Sequence, residues 1–248
     1  MNAWLQSAFP KLYADFNLNF IQGERWKWIV EGLVATLKIT AVALVIGIAI
    51  GVVVAAVRSS YEKNKETLKA RGGVGYALLS FANAVCKLYL TIIRGTPTVV
   101  QLLIFYFIIF AKWRNGIPVA MISFGINSGA YVAEIFRGGI MSVDNGQFEA
   151  SRSLGFGYLA TMRYVVVPQA FKAVLPALGN EFIVLIKETS IAGYVGIMDL
   201  TKAGDLIRGR TFSAFMPLIS VALIYLLIVI LLSRLLGKLE RRLRKNER

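Results

Sequence analysis

The sequence has no histidine and a single cysteine, Cys86, in 248 residues. The first absence excludes His-based metal sites, Ser-His-Asp triads and imidazole proton relays. The second excludes an intrachain disulfide. Charge is scarce too. Charged residues make up 17% of the chain and apolar residues 56%, too thin a charged shell for a soluble domain of this length. No basic region leading to a small-residue cleavage site opens the chain, so no removable signal peptide is expected. No G-x-x-x-x-G-K-[ST] stretch is present to cradle nucleotide phosphates. No paired catalytic constellation stands out, so an enzyme is not expected.

What the sequence does have is a set of long apolar runs. A hydrocarbon core of about 30 Å needs about 20 apolar residues in helical form. Residues 32–57, 118–140, 174–195 and 213–236 meet that requirement. The shorter run 97–111 meets it with tilt and flanking residues. The stretch 74–93 is patterned differently. Val74, Leu78, Phe81, Val85, Leu88, Tyr89 and Ile92 recur every three or four residues, and so do Ser80, Asn83, Lys87, Thr91 and Arg94. Two stripes on opposite helix faces predict a helix lying in the interface rather than crossing it. Leu5, Phe9, Leu12, Phe16 and Phe20 predict a second interfacial helix over 4–21. The expected fold is therefore all-α integral membrane, with five transmembrane helices plus interfacial helices.

Charge sets the expected orientation. The formal net charge is +14, which on a soluble protein would point to nucleic acid. Here the basic residues sit in loops and at the C-terminal tail, so no nucleic-acid partner is expected and the lipid bilayer is. With five spans, the segments 58–94, 142–172 and 234–248 share one side and hold about twice as many Lys and Arg as the other side. The positive-inside rule then places the N-terminus outside and the C-terminus in the cytoplasm. Trp26, Trp28 and Trp113 mark the outer headgroup level. Three regions follow: an outer interfacial segment 1–31, a transmembrane domain 32–236, and a basic cytoplasmic tail 237–248 that anchors to anionic lipid.

Between the third and fourth spans lies the inner segment 142–172, SVDNGQFEASRSLGFGYLATMRYVVVPQAFK. Asp144 followed three residues later by Gln147 predicts a capping box. A short helix over 147–154 should follow, broken by Gly155 and Gly157. A second helix over 158–166 should run to Pro168. A helix–Gly–helix hairpin on the cytoplasmic side is a docking shape.

The residues of this hairpin carry a resemblance. Glu149-Ala150-Ser151, then Gly155, then Val165-x-Val167-Pro168 resembles the EAA loop of binding-protein-dependent ABC importer permeases. Every spacing fits, and the one departure is Ser151 for the second Ala. Arg94-Gly95-Thr96-Pro97, NSGAYVAEIFRGGI (127–140) and LIKETS (185–190) resemble the polar amino-acid group of that family (histidine, glutamine and arginine type). The likeness covers roughly residues 32–236, leaving out the first 30 residues and a long inner loop at 58–72. It implies a multi-pass subunit of a bacterial inner or plasma membrane that imports a polar amino acid. It implies pairing with a second permease, a copy or a sibling, and with two ATPase subunits that use ATP and Mg. It also implies an extracytoplasmic binding protein that delivers substrate. This chain itself would bind no cofactor and hold no metal. The coupling residues it implies are Glu149, Ala150, Ser151, Arg152 and Gly155. The competing expectation is a stand-alone secondary transporter or channel, which would need internal repeats or broken helices.

Ionisable residues inside spans are costly and so are candidates for function. Asn127, Tyr131 and Glu134 are spaced four and three, and share a helix face. Lys187, Glu188, Thr189 and Ser190 lie together in the fourth span, and Gln101 in the second. A carboxylate at Glu134 or Glu188 could meet a substrate ammonium. Hydroxyls or a helix N-terminus could meet its carboxylate. The competing structural roles are pairing of Lys187 and Glu188 between helices, Glu181 at the inner interface, and a snorkelling Lys38. Gly47 and Gly51 form a G-x-x-x-G that lets helices approach closely, and Gly138 and Gly139 should end the third span.

Overall fold

The computed structural model describes residues 10–245, and every regular element among them is helical. A short helix α1 over 10–16 widens into a π turn, Asn17–Ile21. Then come α2 (Trp26–Arg71), α3 (Val74–Gly95), α4 (Thr98–Ile104), α5 (Gly116–Met141) and α6 (Asn145–Ser153). They are followed by α7 (Tyr158–Thr161), α8 (Val167–Glu188), α9 (Leu200–Thr211) and α10 (Phe215–Lys245). Five helices among the described residues are long and apolar enough to cross a membrane: Trp26–Glu66, Val74–Gly95, Gly116–Met141, Tyr158–Val195 and Phe215–Leu243.

The five-helix count agrees with the sequence, but its membership does not. The striped stretch is one of the five, and Thr98–Ile109 is too short alone. The Tyr89 hydroxyl donates to the Ile126 carbonyl at 2.6 Å, and Leu90 is buried with Val54, Ala130 and Ala133. The C-terminal half of α3 therefore lies against the middle of α5, not along a surface. The chain breaks at Gly95-Thr96-Pro97 and continues as α4, which a π turn, Phe105–Ile109, extends toward Trp113. Helices α3 and α4 make one kinked passage. The polar stripe that predicted a headgroup-facing helix faces a polar cavity instead.

Helix α2 is the longest element, with 46 residues and a length of about 69 Å at 1.5 Å per residue. That is more than twice a hydrocarbon core. No proline falls between Pro10 and Pro97, and residues 58–71 are mostly good helix formers. The expected loop at 58–72 is thus helical to Arg71, and ends only at Gly72 and Gly73, both with positive φ. The molecule has a near end, where α2 begins, and a far end, where it finishes.

The spine of the molecule is α2 against α5, packed through small residues from both sides. A Cβ on Gly51 would stand 2.5 Å from Val132 Cγ1, and one on Gly47 3.0 Å from Ser128 Oγ. From the facing helix, a Cβ on Gly125 would stand 2.7 Å from Ile46. Close backbones of this kind supply the dispersion contact that drives association where lipid removes the hydrophobic drive. Ile39, Ala43, Leu102, Phe124 and Leu185 fill the core between α2, α4, α5 and α8. Gly139 packs on Val174 of α8, and α5 runs on to Met141, past the expected end at Gly138 and Gly139.

The last passages are simpler. Helix α7 joins α8 through a π turn, Met162–Val166, where the Val167 amide donates to the Met162 carbonyl. The wide turn immediately precedes Pro168, whose ring nitrogen has no hydrogen to donate. The expected stop at Pro168 is absent for this reason. Pro176 lies inside α8. Helix α10 buries little of itself, and Leu223, Leu227, Leu231 and Leu235 stay exposed as a lipid-compatible face. It continues unbroken through the basic segment to Lys245, while Arg248 lies outside the described residues. At the near end, Asn19 donates to Ser213 at 3.2 Å and accepts from Thr211 at 2.7 Å, pinning the N-terminal helix to the α9–α10 junction. Leu5 and Phe9 of the expected helix 4–21 lie outside the described residues.

Candidate functional site

A cavity of about 660 Å³ opens between α2, α3 and α5, lined by Arg58, Lys87, Leu90, Thr91, Arg94, Gly95, Tyr131 and Glu134. The polar stripe of α3 supplies Lys87, Thr91 and Arg94. Helix α5 supplies Tyr131 and Glu134, and α2 supplies Arg58. The Arg94 guanidinium lies 5.7 Å from the centre of the Tyr131 ring, within cation–π range. Glu134 Oε2 accepts from Arg137 Nε at 3.0 Å and Nη2 at 2.7 Å. Arg137 also lies 3.6 Å from Glu62, which in turn lies 3.3 Å from Arg58. Arg58 is paired with Glu62 and Glu134 with Arg137, which leaves Lys87 and Arg94 as the lining cations without an ion pair among the described residues. Two such cations suit a negatively charged group.

The remaining sequence candidates separate into two other places. Gln101 is buried. Its Nε2 donates to the Ile93 carbonyl at 2.7 Å and to Thr96 Oγ1 at 2.7 Å, and its Oε1 accepts from Asn127 at 2.9 Å. Gln101 satisfies carbonyls freed at the α3–α4 break and Asn127 holds the Gln101 amide in place, a structural duty that keeps both out of the cavity lining. Asn127 does not share its exposure with Tyr131 and Glu134, because α4 covers that turn of α5. Lys187, Glu188, Thr189 and Ser190 lie at the near end of α8. There Thr189 donates to the Ile186 carbonyl at 2.8 Å and Lys187 is exposed. Ser190 lines a separate hollow of about 300 Å³ with Tyr194, Lys202 and Asp205. Glu181 is buried in mid-helix and accepts from Ser128 at 2.7 Å, so it ties α8 to α5 instead of sitting at an interface. The continuous run from Tyr158 carries it that far along the passage.

Close to the hollow, Asp199 is fully buried and caps α9, accepting from the amides of Thr201 at 2.9 Å and Lys202 at 3.1 Å. Burial pushes its carboxyl above the usual range, against the pull of those two amides. The half-buried Asp205 carboxyl is held below its usual range by hydrogen bonds from Arg208 and Lys202.

At the far end stands the hairpin. Asp144 caps α6 by accepting from the Gly146 amide at 2.6 Å. Gln147 does not reach back as a capping box would; its Oε1 accepts from Gln169 at 3.4 Å. Gly155, at φ +82°, makes the turn that L side chains rarely adopt. Phe148 is buried with Ile140, Val143, Val166 and Ala170, and Ser151 is buried and donates to the Gln147 carbonyl at 2.6 Å. Helix α6 thus lies back-down on its own chain. Glu149, Ala150, Arg152 and Gly155 face outward, flanked by exposed Leu154 and Leu159. Of the expected coupling residues, only Ser151 is turned inward. Sequence reasoning missed Arg58, Lys87, Thr91 and Arg94 as lining residues, although the polar stripe of α3 named three of them.

Fold and site together define a polytopic membrane subunit with a charged cavity at its middle and a presented helix at one end. The family of binding-protein-dependent transport system inner membrane components matches residues 73–245. The chain belongs to that family and is a multi-pass inner-membrane protein. It is 38% identical over 221 residues to the putative glutamine transport system permease protein GlnP of Rickettsia bellii, covering 87% of this chain and 93% of that protein. It is 36% identical over 220 residues to the glutamine transport system permease protein GlnP of Escherichia coli K12, covering 87% and 93%. Among solved structures, an amino acid ABC transporter crystallised with histidines matches with a TM-score of 0.77 and 38% identity, over 89% of this chain and 96% of that one. The MetNI methionine ABC transporter matches at a TM-score of 0.73 and 20% identity, over 88% and 97%, a likeness of fold alone.

Proposed function

We propose that this chain is the membrane-spanning subunit of an ATP-driven importer of a polar amino acid. The observation that carries the reading is the presented face of α6. Its back is packed on the chain's own core, and Glu149, Ala150 and Arg152 are left exposed where another subunit can grip them. Force applied at α6 has to pass to α5 to reach the cavity wall. ATP and Mg would be used by two ATPase subunits docked there. A second permease, copy or sibling, would close the pathway, and an extracytoplasmic binding protein would deliver substrate to the near end. The far end would then be cytoplasmic and the N-terminus outside, as the basic residues of α2's extension and of α10 favour.

The cavity supports a substrate class. Arg94 and Lys87 suit an α-carboxylate, and Tyr131 and Thr91 suit polar side-chain atoms. The excess of cations disfavours lysine or arginine as cargo and favours an uncharged or acidic amino acid, in keeping with the glutamine transport named for the relatives. Reconstitution with the ATPase subunits and binding protein tests both parts. ATP-dependent uptake of glutamine or glutamate in preference to lysine is expected. Uptake by this chain alone, without ATP, would contradict the reading.

A further inference from the structure

The extension of α2 has a consequence for coupling, and the inference rests on the importer reading above. Between the cavity wall and the presented helix the chain bends: α5 ends at Met141, and α6 starts at Asn145. Three residues, Ser142 to Asp144, form the joint. A flexible joint there would absorb a push on α6 before it reached Glu134. Two adjacent residues of α2 grip the two sides of the joint. Glu62 lies 3.6 Å from Arg137 on the α5 side. Lys63 donates to Asn145 Oδ1 at 2.8 Å, with its ammonium 4.2 Å from the centre of the Phe148 ring, both on the α6 side. One turn earlier, the Ser60 hydroxyl stands 3.4 Å from that of Tyr158 at the start of the following passage. Arg58 in the same helix lines the cavity and pairs with Glu62 at 3.3 Å.

We propose that the α2 extension is a splint across this joint, with Lys63 and Glu62 as positioning residues that make α6 and the cavity wall move as one body. Lys63 is not among the residues lining the cavity. Its contacts are part-exposed, and such contacts add little to folding stability. Its removal is therefore felt in coupling and not in the fold. Arginine at 63 preserves both the donor and the cation over Phe148.

The test uses the full chain with its ATPase subunits and binding protein in proteoliposomes, fed a radiolabelled mixture of amino acids. Uptake and ATP hydrolysis are measured together for wild type, Lys63→Ala, Lys63→Arg and Glu62→Gln. Lys63→Ala is expected to retain assembly and basal hydrolysis. Its amino acids transported per ATP should fall about fivefold, the lower end of ordinary site-to-site coupling. Lys63→Arg should restore the ratio, and Glu62→Gln should lower it. An unchanged ratio in both Lys63→Ala and Glu62→Gln, or a loss confined to melting temperature, would overturn the splint. Wild type failing to take up amino acids with ATP would instead overturn the importer reading, so the two failures are distinguishable.

Discussion

Gly51 has no room for a methyl group. Its Cβ would meet Val132 Cγ1 at 2.5 Å and the Ala133 amide nitrogen at 2.9 Å, and backbone cannot swing aside. Overpacking of this kind costs about 1–3 kcal/mol. Gly51→Ala should therefore melt earlier in detergent than Gly47→Ala, whose nearest neighbour is a Ser128 side chain at 3.0 Å; equal melting would argue against the tight α2–α5 seam. Asp199 separates two effects in one position. Its side chain caps α9 while its charge is buried. Asp199→Ala loses the cap and should cost about 1 kcal/mol, whereas asparagine caps as well as aspartate and removes the buried charge. Asp199→Asn should be neutral or better in the same melt. The raised carboxyl of Asp199 also fixes a sign for pH. The folded form binds its proton more tightly than the unfolded form, so this group's contribution to stability falls as pH rises through its folded value. That slope should vanish in Asp199→Asn. In the cavity, Arg94→Gln removes a charged partner for a carboxylate, a loss of about 1.5–3 kcal/mol. The substrate concentration for half-maximal uptake should rise by about tenfold or more, and an unchanged value would demote Arg94 to packing on Tyr131.

At the scale of elements, the presented helix is where the sequence was most legible. Asp144 and Gly155 are residues whose local chemistry allows few readings, and α6 with its αL turn lies within two residues of where they put it. Gln147 and Pro168 were misread because tertiary neighbours intervened: Gln169 took the Gln147 side chain, and a π turn let the helix pass the proline. Helix α3 is the instructive failure. Periodicity reports that a helix has a polar and an apolar face, but not whether the polar face meets headgroups or a protein cavity. The contact of Tyr89 with Ile126 decides that, and no spacing encodes it. The same ambiguity scattered the site candidates: Tyr131 and Glu134 reached the cavity, while Asn127 and Gln101 were spent on the chain break beside it. A prediction belongs to α6 as a whole. Replacing Gly155, at φ +82°, by valine strains the turn by about 1–3 kcal/mol, and reversing Glu149 to lysine changes only the outward face. Both should lower uptake while leaving membrane insertion intact. Normal ATP-dependent uptake in both would show that nothing docks on this face.

In the whole molecule a charged cavity, a small-residue seam and a presented helix form a single lever. The seam holds α2 and α5 rigid, α5 carries Glu134 and leads into α6, and the extension of α2 reaches back to hold the joint between them. In this family ATPase activity lies in separate subunits, so the cycle is driven from outside the chain. The most direct measurement is amino-acid uptake into proteoliposomes containing this chain with its ATPase subunits and binding protein, with ATP inside or withheld. The account predicts uptake only when ATP and the ATPase are both present. Concentrative uptake by the chain alone, unaffected by ATP, would contradict it.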